Sequence, residues 1–237
     1  MMKGFVFDID DTLYSRGDMV WQAAVEAAGE VPADRNDFIG LFYLLADRNL
    51  PLVESGVISA QESNIRRFEG CFRNFGVSDP GGRGHFAAQI YAQLQHHITL
   101  SVPLAGLLDR LENAGCALAA VTNGESRHQW EKYHMLGLAR WIPEDLMIIS
   151  GEVGSTKPDP GIFRTAQERL SLPPEDLWMV GDSYTGDIEG AGKLLWHTVW
   201  LNRRNESATG VIPDLMYRDE YELARRLPED TGCVLSP

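Results

Sequence analysis

The sequence predicts an α/β protein: a doubly wound, five-stranded parallel sheet with an α-helical cap inserted into it. Two patterns point there. From Ser101 onward, helix-like and strand-like segments alternate, as they do when a parallel sheet is covered on both faces. Between Tyr14 and Ser101 the apolar residues recur only at helical spacing, as expected for a separate helical block. The expected division is a core of residues 1–14 and 101–237 and a cap of residues 15–100.

The first strand is the apolar run Phe5-Val6-Phe7. Val20, Trp21, Ala24, Val25 and Ala28 then follow at helical spacing, with Asp18 expected as the N-cap. A second helix is expected from about Asp37 to Ala46. Ser59 and Glu62 have capping-box spacing and open a third through Ile65 and Phe68. Gly81-Gly82-Arg83-Gly84 reads as a turn before a fourth, near His85 to His96. In the alternating part, helices are expected at Pro103–Asn113, Ser126–Leu136, Pro160–Leu170 and Asp187–Leu194. The strands between and after them are Cys116–Val121, Met147–Ile149, Leu177–Val180 and His197–Leu201.

Composition narrows the function. The 237 residues are 44% hydrophobic and 23% charged, as in a soluble globular chain. The formal net charge of −13 opposes a long nucleic-acid partner, which needs a basic surface. It does not oppose a small phosphorylated substrate, because a bound divalent cation reverses the local field. No apolar run reaches the roughly 20 residues of a membrane span, and no signal-like segment precedes Phe5. The expectation is a cytoplasmic protein, monomeric or a small homo-oligomer, with no membrane partner. Cys71, Cys116 and Cys233 lie far apart without a CxxC pair, so ordinary reduced thiols are expected.

Ligands of open α/β sheets bind beyond the carboxyl ends of the strands. Four such places carry polar residues that a plain loop does not need. They are Asp8-Ile9-Asp10, Thr122-Asn123-Gly124, the loop holding Lys157, and Gly181-Asp182 with Asp187 beyond. Hard carboxylate oxygens suit Mg²⁺, which favours phosphate-bearing substrates. Lys157 supplies a fixed positive charge. Thr122 supplies a hydroxyl, and the amides of Asn123 and Gly124 are candidate donors to a phosphate oxygen. Such parts suit phosphoryl transfer through an aspartyl-phosphate, with one carboxylate as nucleophile and another moving the proton. For the aspartates alone, a structural turn or a helix cap is the competing reading.

Four segments, FDIDDTL, VTNG, KPDPGIF and VGDSYTGDIEGA, resemble in order the four motifs of the haloacid dehalogenase-like (HAD) hydrolases. The resemblance covers nearly the whole chain. PDLMYRDEYELARRL resembles the family's last strand and helix. It implies a Rossmann-type core and a helical cap after the first motif. It further implies Asp8 as nucleophile, Asp10 as general acid/base, Thr122 as a phosphoryl-binding residue and Lys157 as partner of both nucleophile and phosphate. Mg²⁺ would be held by Asp8, Asp182 and the carbonyl of Asp10, with Asp187 as a further ligand or a group behind the ligands. Position 11 is Asp where many members have Gly. Haloacid-cleaving members lack an acid at the position of Asp10 and need no metal, so Asp10 favours phosphate chemistry. The implied activity is hydrolysis of a nucleotide, a phosphosugar or a flavin-pathway phosphate. A phosphosugar mutase of the same fold and a catalytically idle binding protein are the alternatives.

Other signals lead elsewhere. GDSYTG lacks the spacing of a nucleophile elbow, and GAGKL lacks both ends of a P-loop. Gly82-x-Gly84-x-x-Ala87 follows no strand and is not a dinucleotide fingerprint. His96 and His97 read as a surface pair, and Trp21, Phe42, Tyr43 and Phe72 as cap core. Tyr14 and Arg16, at the passage from core to cap, are candidates for contact with the substrate body.

Overall fold

The computed structural model describes residues 2–233. In chain order the elements are β1 (Gly4–Phe7), α1 (Arg16–Ala28), α2 (Arg35–Glu54), α3 (Ala60–Asn74), α4 (Pro80–Gln95), α5 (Val102–Asn113), β2 (Ala117–Thr122) and α6 (Ser126–Met135). They continue with β3 (Met147–Ile149), a single turn α7 (Ser150–Val153), α8 (Pro160–Leu170), β4 (Leu177–Gly181), a π-helical segment (Tyr184–Glu189), α9 (Gly190–Gly192), β5 (His197–Leu201), β6 (Leu215–Tyr217) and α10 (Glu220–Asp230). Two compact units result. One takes the chain up to Tyr14 and again from Ile98; the other is Ser15–His97.

The first unit is built on one parallel sheet in the order β3-β2-β1-β4-β5-β6. It has six strands where the sequence reading counted five. The sixth, Leu215–Tyr217, is three residues long and follows a polar loop, too short for a periodic signal of its own. Its pairing with β5 reveals it. From β1 the chain first builds outward through β2 and β3, then crosses back to β4 and builds the other way. β1 and β4 therefore flank the point where the winding reverses, and ligand crevices of such sheets form there.

Side-chain alternation sends β1 residues to both faces. Val6 joins Ala119, Val121, Ile148 and Met179 beneath Ile162, Phe163 and Ala166 of α8. Phe5 points the other way and stacks on Trp178, 6.1 Å between centroids. All four β1 residues are buried, so the strand is one unbroken apolar run. α5 packs against β2 and against α10. Cys116 and Cys233, distant in sequence, lie close enough to interact, and the neighbouring Cys116 thiol holds that of Cys233 below the usual thiol range. All three cysteines are free.

The helical unit has its own core. Phe38, Phe42, Phe68, Phe72 and Cys71 are fully buried together with Val20 and Ala24. Trp21 and Tyr43 pack against that core while partly exposed, and Arg16 lies over the Tyr43 ring at 5.7 Å. His96 and His97 are both exposed.

Three local expectations are corrected. Ser15, not Asp18, caps α1: its backbone is extended and its hydroxyl accepts from the Asp18 N–H, as N-cap geometry requires. α2 runs well past Ala46 and accommodates Pro51 in its last turns. The glycine-rich stretch is not a turn but the start of α4, because Asp79 accepts from Gly82 N and Pro80 occupies the first turn. Among the described residues no helix is long and apolar enough to cross a membrane.

The α3–α4 contact explains one of those glycines. A Cβ on Gly84 would meet the backbone N of Glu69 at 2.8 Å and its Cα at 3.0 Å. Backbone cannot yield as a side chain can. Gly40 in α2 is different, since nothing lies within 4 Å of the corresponding position. Gly84→Ala is expected to destabilise the chain by ~1–3 kcal/mol through overpacking. Gly40→Ala is expected to stabilise it by up to ~1 kcal/mol through helix propensity. Denaturant midpoints of the two variants, compared with the parent, check both signs.

Candidate active site

β1 delivers Asp8 to the sheet's carboxyl edge, where its N–H bonds to the Val180 carbonyl at 2.9 Å. The chain then turns at once: the Thr12 and Leu13 N–H groups both reach back to the Ile9 carbonyl. Asp11 takes φ +60° in this turn. That left-handed conformation is tolerated by Asp better than by most residues, which accounts physically for an Asp at a position where glycine also works. So the turn and the site are one object: the bend aims the carboxylates.

The central feature is a buried ion cluster. The Lys157 ammonium donates to Asp8 Oδ1 and to Asp187 Oδ1, 2.6 Å each. Its side chain is 4% exposed, that of Asp8 8% and that of Asp187 0%. Asp187 also accepts from the Ser183 N–H at 3.0 Å. It is not the N-cap of the segment that follows; Ser183 fills that place by accepting from Gly186 N. The expected helix from Asp187 to Leu194 begins earlier, as the π-helical segment Tyr184–Glu189, and runs on into α9 (Gly190–Gly192). A Cβ on Gly181 would meet Asp187 Oδ2 at 2.1 Å, so only glycine leaves room for the Asp187 side chain.

Asp182 completes the acidic group. One carboxylate oxygen from each of Asp8, Asp182 and Asp187 lies within 4.8 Å of the others. Three hard oxygen donors beside one ammonium fit a divalent cation such as Mg²⁺. The Asp10 carboxylate is not part of this set. It sits apart, held by Lys132 Nζ at 2.7 Å to each oxygen, by the Tyr14 hydroxyl and by Gln129 Nε2 at 3.5 Å.

The β2 end is tied to both groups. Thr122, 1% exposed, donates its hydroxyl to Gln129 Oε1 at 3.1 Å. Asn123 makes a reciprocal pair with the Lys157 backbone: Nδ2 donates to the carbonyl at 3.0 Å, and Oδ1 accepts from the N–H at 2.8 Å. This pair fixes the loop that carries Lys157. The Gly124 N–H donates to Ser150 Oγ at 3.0 Å. The Gly124 amide, expected to face a phosphate oxygen, thus serves the loop in this structure. Gln129, Lys132, Ser150 and Ser183 escaped the sequence reading. For Gln129 and Lys132 a signal existed: they are three residues apart on the helix that follows Thr122, a spacing that puts them on one face.

Burial dominates the electrostatics of Asp8 and raises its pKa from 3.8 to about 7; Lys157 opposes the rise, while Asp187 and Asp10 add to it. Burial pulls Lys157 down, but Asp187 and Asp8 outweigh it and hold the ammonium charged. A raised carboxyl stabilises the fold below its unfolded pKa of about 4, and that contribution is lost as pH rises through the folded value. The metal-free chain is therefore expected to lose stability from this group between about pH 4 and pH 7. Asp8→Asn removes that loss. The difference in melting temperature, variant minus parent, should grow across this window and flatten above it, and Mg²⁺ should shrink it at high pH. Thermal melts of the two proteins across a pH series, with and without Mg²⁺, check this.

Comparison with known proteins agrees with this geometry. A family model described as haloacid dehalogenase-like hydrolase matches residues 2–194. The glyceraldehyde 3-phosphate phosphatase of Methanopyrus kandleri is 32% identical over 210 residues, which are 86% of this chain and 85% of that one. The pyrimidine 5'-nucleotidase YjjG of Escherichia coli is 27% identical over 226 residues, 93% of this chain and 96% of its own. Among solved structures, the HAD-hydrolase YfnB of Bacillus subtilis, bound to magnesium, shares the fold. It has a TM-score of 0.63 and 24% identity, and covers 95% of this chain and 98% of its own. The motifs, the sheet order and these matches converge: this chain belongs to the haloacid dehalogenase-like hydrolases.

Proposed function

We propose that the chain is a Mg²⁺-dependent phosphatase that hydrolyses a small phosphorylated metabolite through an aspartyl-phosphate. The observation that carries the reading is the buried Lys157, bonded at once to Asp8 and Asp187, with the Asp10 carboxylate held apart from them. A nucleophile and a proton carrier need different surroundings, and these two aspartates have them. Relatives named as phosphatases of a triose phosphate and of nucleotides support small phosphate esters as the substrate class.

Asp8 attacks phosphorus as the carboxylate, and Lys157 holds it in place while countering charge on the transferred group. Asp10 gives its proton to the leaving oxygen and then takes one from the attacking water. The Thr122 hydroxyl can turn from Gln129 toward a phosphoryl oxygen, as hydroxyl rotors do. Asn123 keeps the Lys157 loop in register with β2. Asp8, Asp182, Asp187 and the backbone of Asp10 are the candidates for holding Mg²⁺, which when bound supplies charge neutralisation for the phosphoryl oxygens. The helical unit is the candidate cap, and Tyr14 and Arg16 lie at its first junction with the core.

Release of inorganic phosphate from 4-nitrophenyl phosphate tests the reading. Asp8→Asn is expected to lose about a thousandfold or more in kcat while keeping its circular dichroism spectrum; near-parental turnover in that variant defeats the covalent mechanism. Exhaustive chelation should abolish turnover, with Mg²⁺ restoring it. Ca²⁺ should bind yet inhibit, because its larger and looser coordination shell misaligns nucleophile and phosphate. Binding of either cation is read separately, as a rise in melting temperature of the unreacted protein. Full activity after chelation counts against the metal assignment.

A further inference from the structure

We propose that Lys132 is a positioning residue for Asp10: it clamps the carboxylate that moves the proton and, with Gln129, couples it to the phosphoryl-binding end of β2. This inference rests on the phosphatase reading above and goes beyond it by assigning a role to a helix that carries none of the motif residues.

The geometry is specific. Lys132 Nζ lies 2.7 Å from both Asp10 oxygens. A lysine on a solvated helix usually extends into water, since holding it costs rotamer entropy. Here the side chain is 21% exposed and that of Asp10 18%. Two further groups fix the same carboxylate: the Tyr14 hydroxyl donates to Oδ1 and Gln129 Nε2 to Oδ2. Gln129 is 3% exposed and makes two more bonds, from Thr122 Oγ1 and to the Asn123 carbonyl. Its place depends on Gly124, where a Cβ would approach Gln129 Nε2 to 2.5 Å. Lys132 and Gln129 stand on one face of α6, three residues apart. That face is thus a rigid bracket between Asp10 and Thr122.

The bracket has a task in each half of the reaction. In the first, Asp8 bonds to phosphorus, the bond to the leaving oxygen breaks, and that oxygen takes its electron pair and a proton from Asp10. In the second, water bonds to phosphorus, its proton passes to Asp10, and the bond to Asp8 breaks to release phosphate. Both transfers need the Asp10 oxygens within hydrogen-bond reach of a reacting oxygen. Misplacement of about 1 Å costs on the order of a hundredfold. Without Lys132 the carboxylate keeps its Tyr14 and Gln129 contacts but loses its two-point hold.

The test uses Lys132→Met, Lys132→Arg, Asp10→Asn and the pair Asp10→Asn/Lys132→Met in the full chain loaded with Mg²⁺. Two substrates are compared: 4-nitrophenyl phosphate, whose leaving group departs without a proton, and the alkyl monophosphate that the parent hydrolyses fastest. Lys132→Met is expected to lower kcat on the alkyl ester about 10- to 100-fold, with KM within about twofold. On the aryl ester, release of 4-nitrophenol should keep its initial burst while steady turnover slows, because water attack still needs Asp10. Lys132→Arg should recover part of the loss. The pair should be no slower than Asp10→Asn alone, since a positioning residue has nothing to add once its target is gone. Equal loss of burst and steady turnover, or losses that multiply in the pair, overturns the inference. Melting temperatures of the variants separate a folding defect from a positioning one. Activity that survives in Asp8→Asn defeats the phosphatase reading itself, an outcome distinct from failure of the Lys132 variants.

Discussion

One ammonium group among buried carboxylates organises the site. Lys157 cannot stay charged in a dry interior alone, and burying the Asp187 side chain without a partner is costly. Each needs the other at hydrogen-bond distance, and the 2.6 Å contacts supply that. The cost of this arrangement is met by the loops. Asn123 holds the Lys157 backbone through a two-way amide pair. Ser183 holds Asp187 by its N–H, and Gly181 clears the space for it. Breaking one partner would strand a buried charge, so the segments after β1 and β4 are bound to each other through a single cation, whose own backbone Asn123 ties to the end of β2.

Against that cluster, the separation of Asp10 from Asp8 becomes meaningful. Two residues apart in an extended chain, their side chains would share a face and repel. The turn after Ile9 sends them to different partners instead. Asp8 faces one buried lysine and two acids. Asp10 faces another lysine, a phenol and an amide. Two identical side chains thereby acquire different environments from one bend in the backbone, which is how a fold assigns different roles to chemically equal groups.

Much of this was legible in the sequence because the informative residues sit at strand ends, where strand periodicity stops and polar residues begin. Asp8, Thr122 and Asp182 each sit at the end of an apolar run, and the sheet gathers such ends along one edge, while Lys157 lies in the polar loop after α7. What was not legible depends on contacts between distant segments. β6 is three residues without a pattern, defined by its neighbour β5. The Ser15 cap looked like part of a loop, because Asp18 offered an equally good capping side chain. The π-helical segment Tyr184–Glu189 has no compositional mark, and the Asp187 it carries is partnered by Lys157 from another loop. Gln129 and Lys132 share a helix face that the sequence does show, but their partner Asp10 emerges only once β1 is placed beside β2.

The charge balance of the cluster links metal and phosphate. Three carboxylates against the Lys157 ammonium and the Arg204 guanidinium, 4.0 Å from Asp182, leave an excess of negative charge at the place where an anionic substrate would have to sit. Burial eases part of this by pushing Asp8 toward its neutral form, but a neutral carboxyl is a poor nucleophile. A divalent cation resolves both conflicts, since it favours the ionised Asp8 and turns a repulsive field into an attractive one. The same reasoning makes the linkage reciprocal: whatever the cation contributes to phosphate affinity, bound phosphate must contribute to cation affinity. The net charge of −13 is then no obstacle to an anionic substrate, because the field that decides binding is set locally, by the side chains gathered at the reversal point of one sheet.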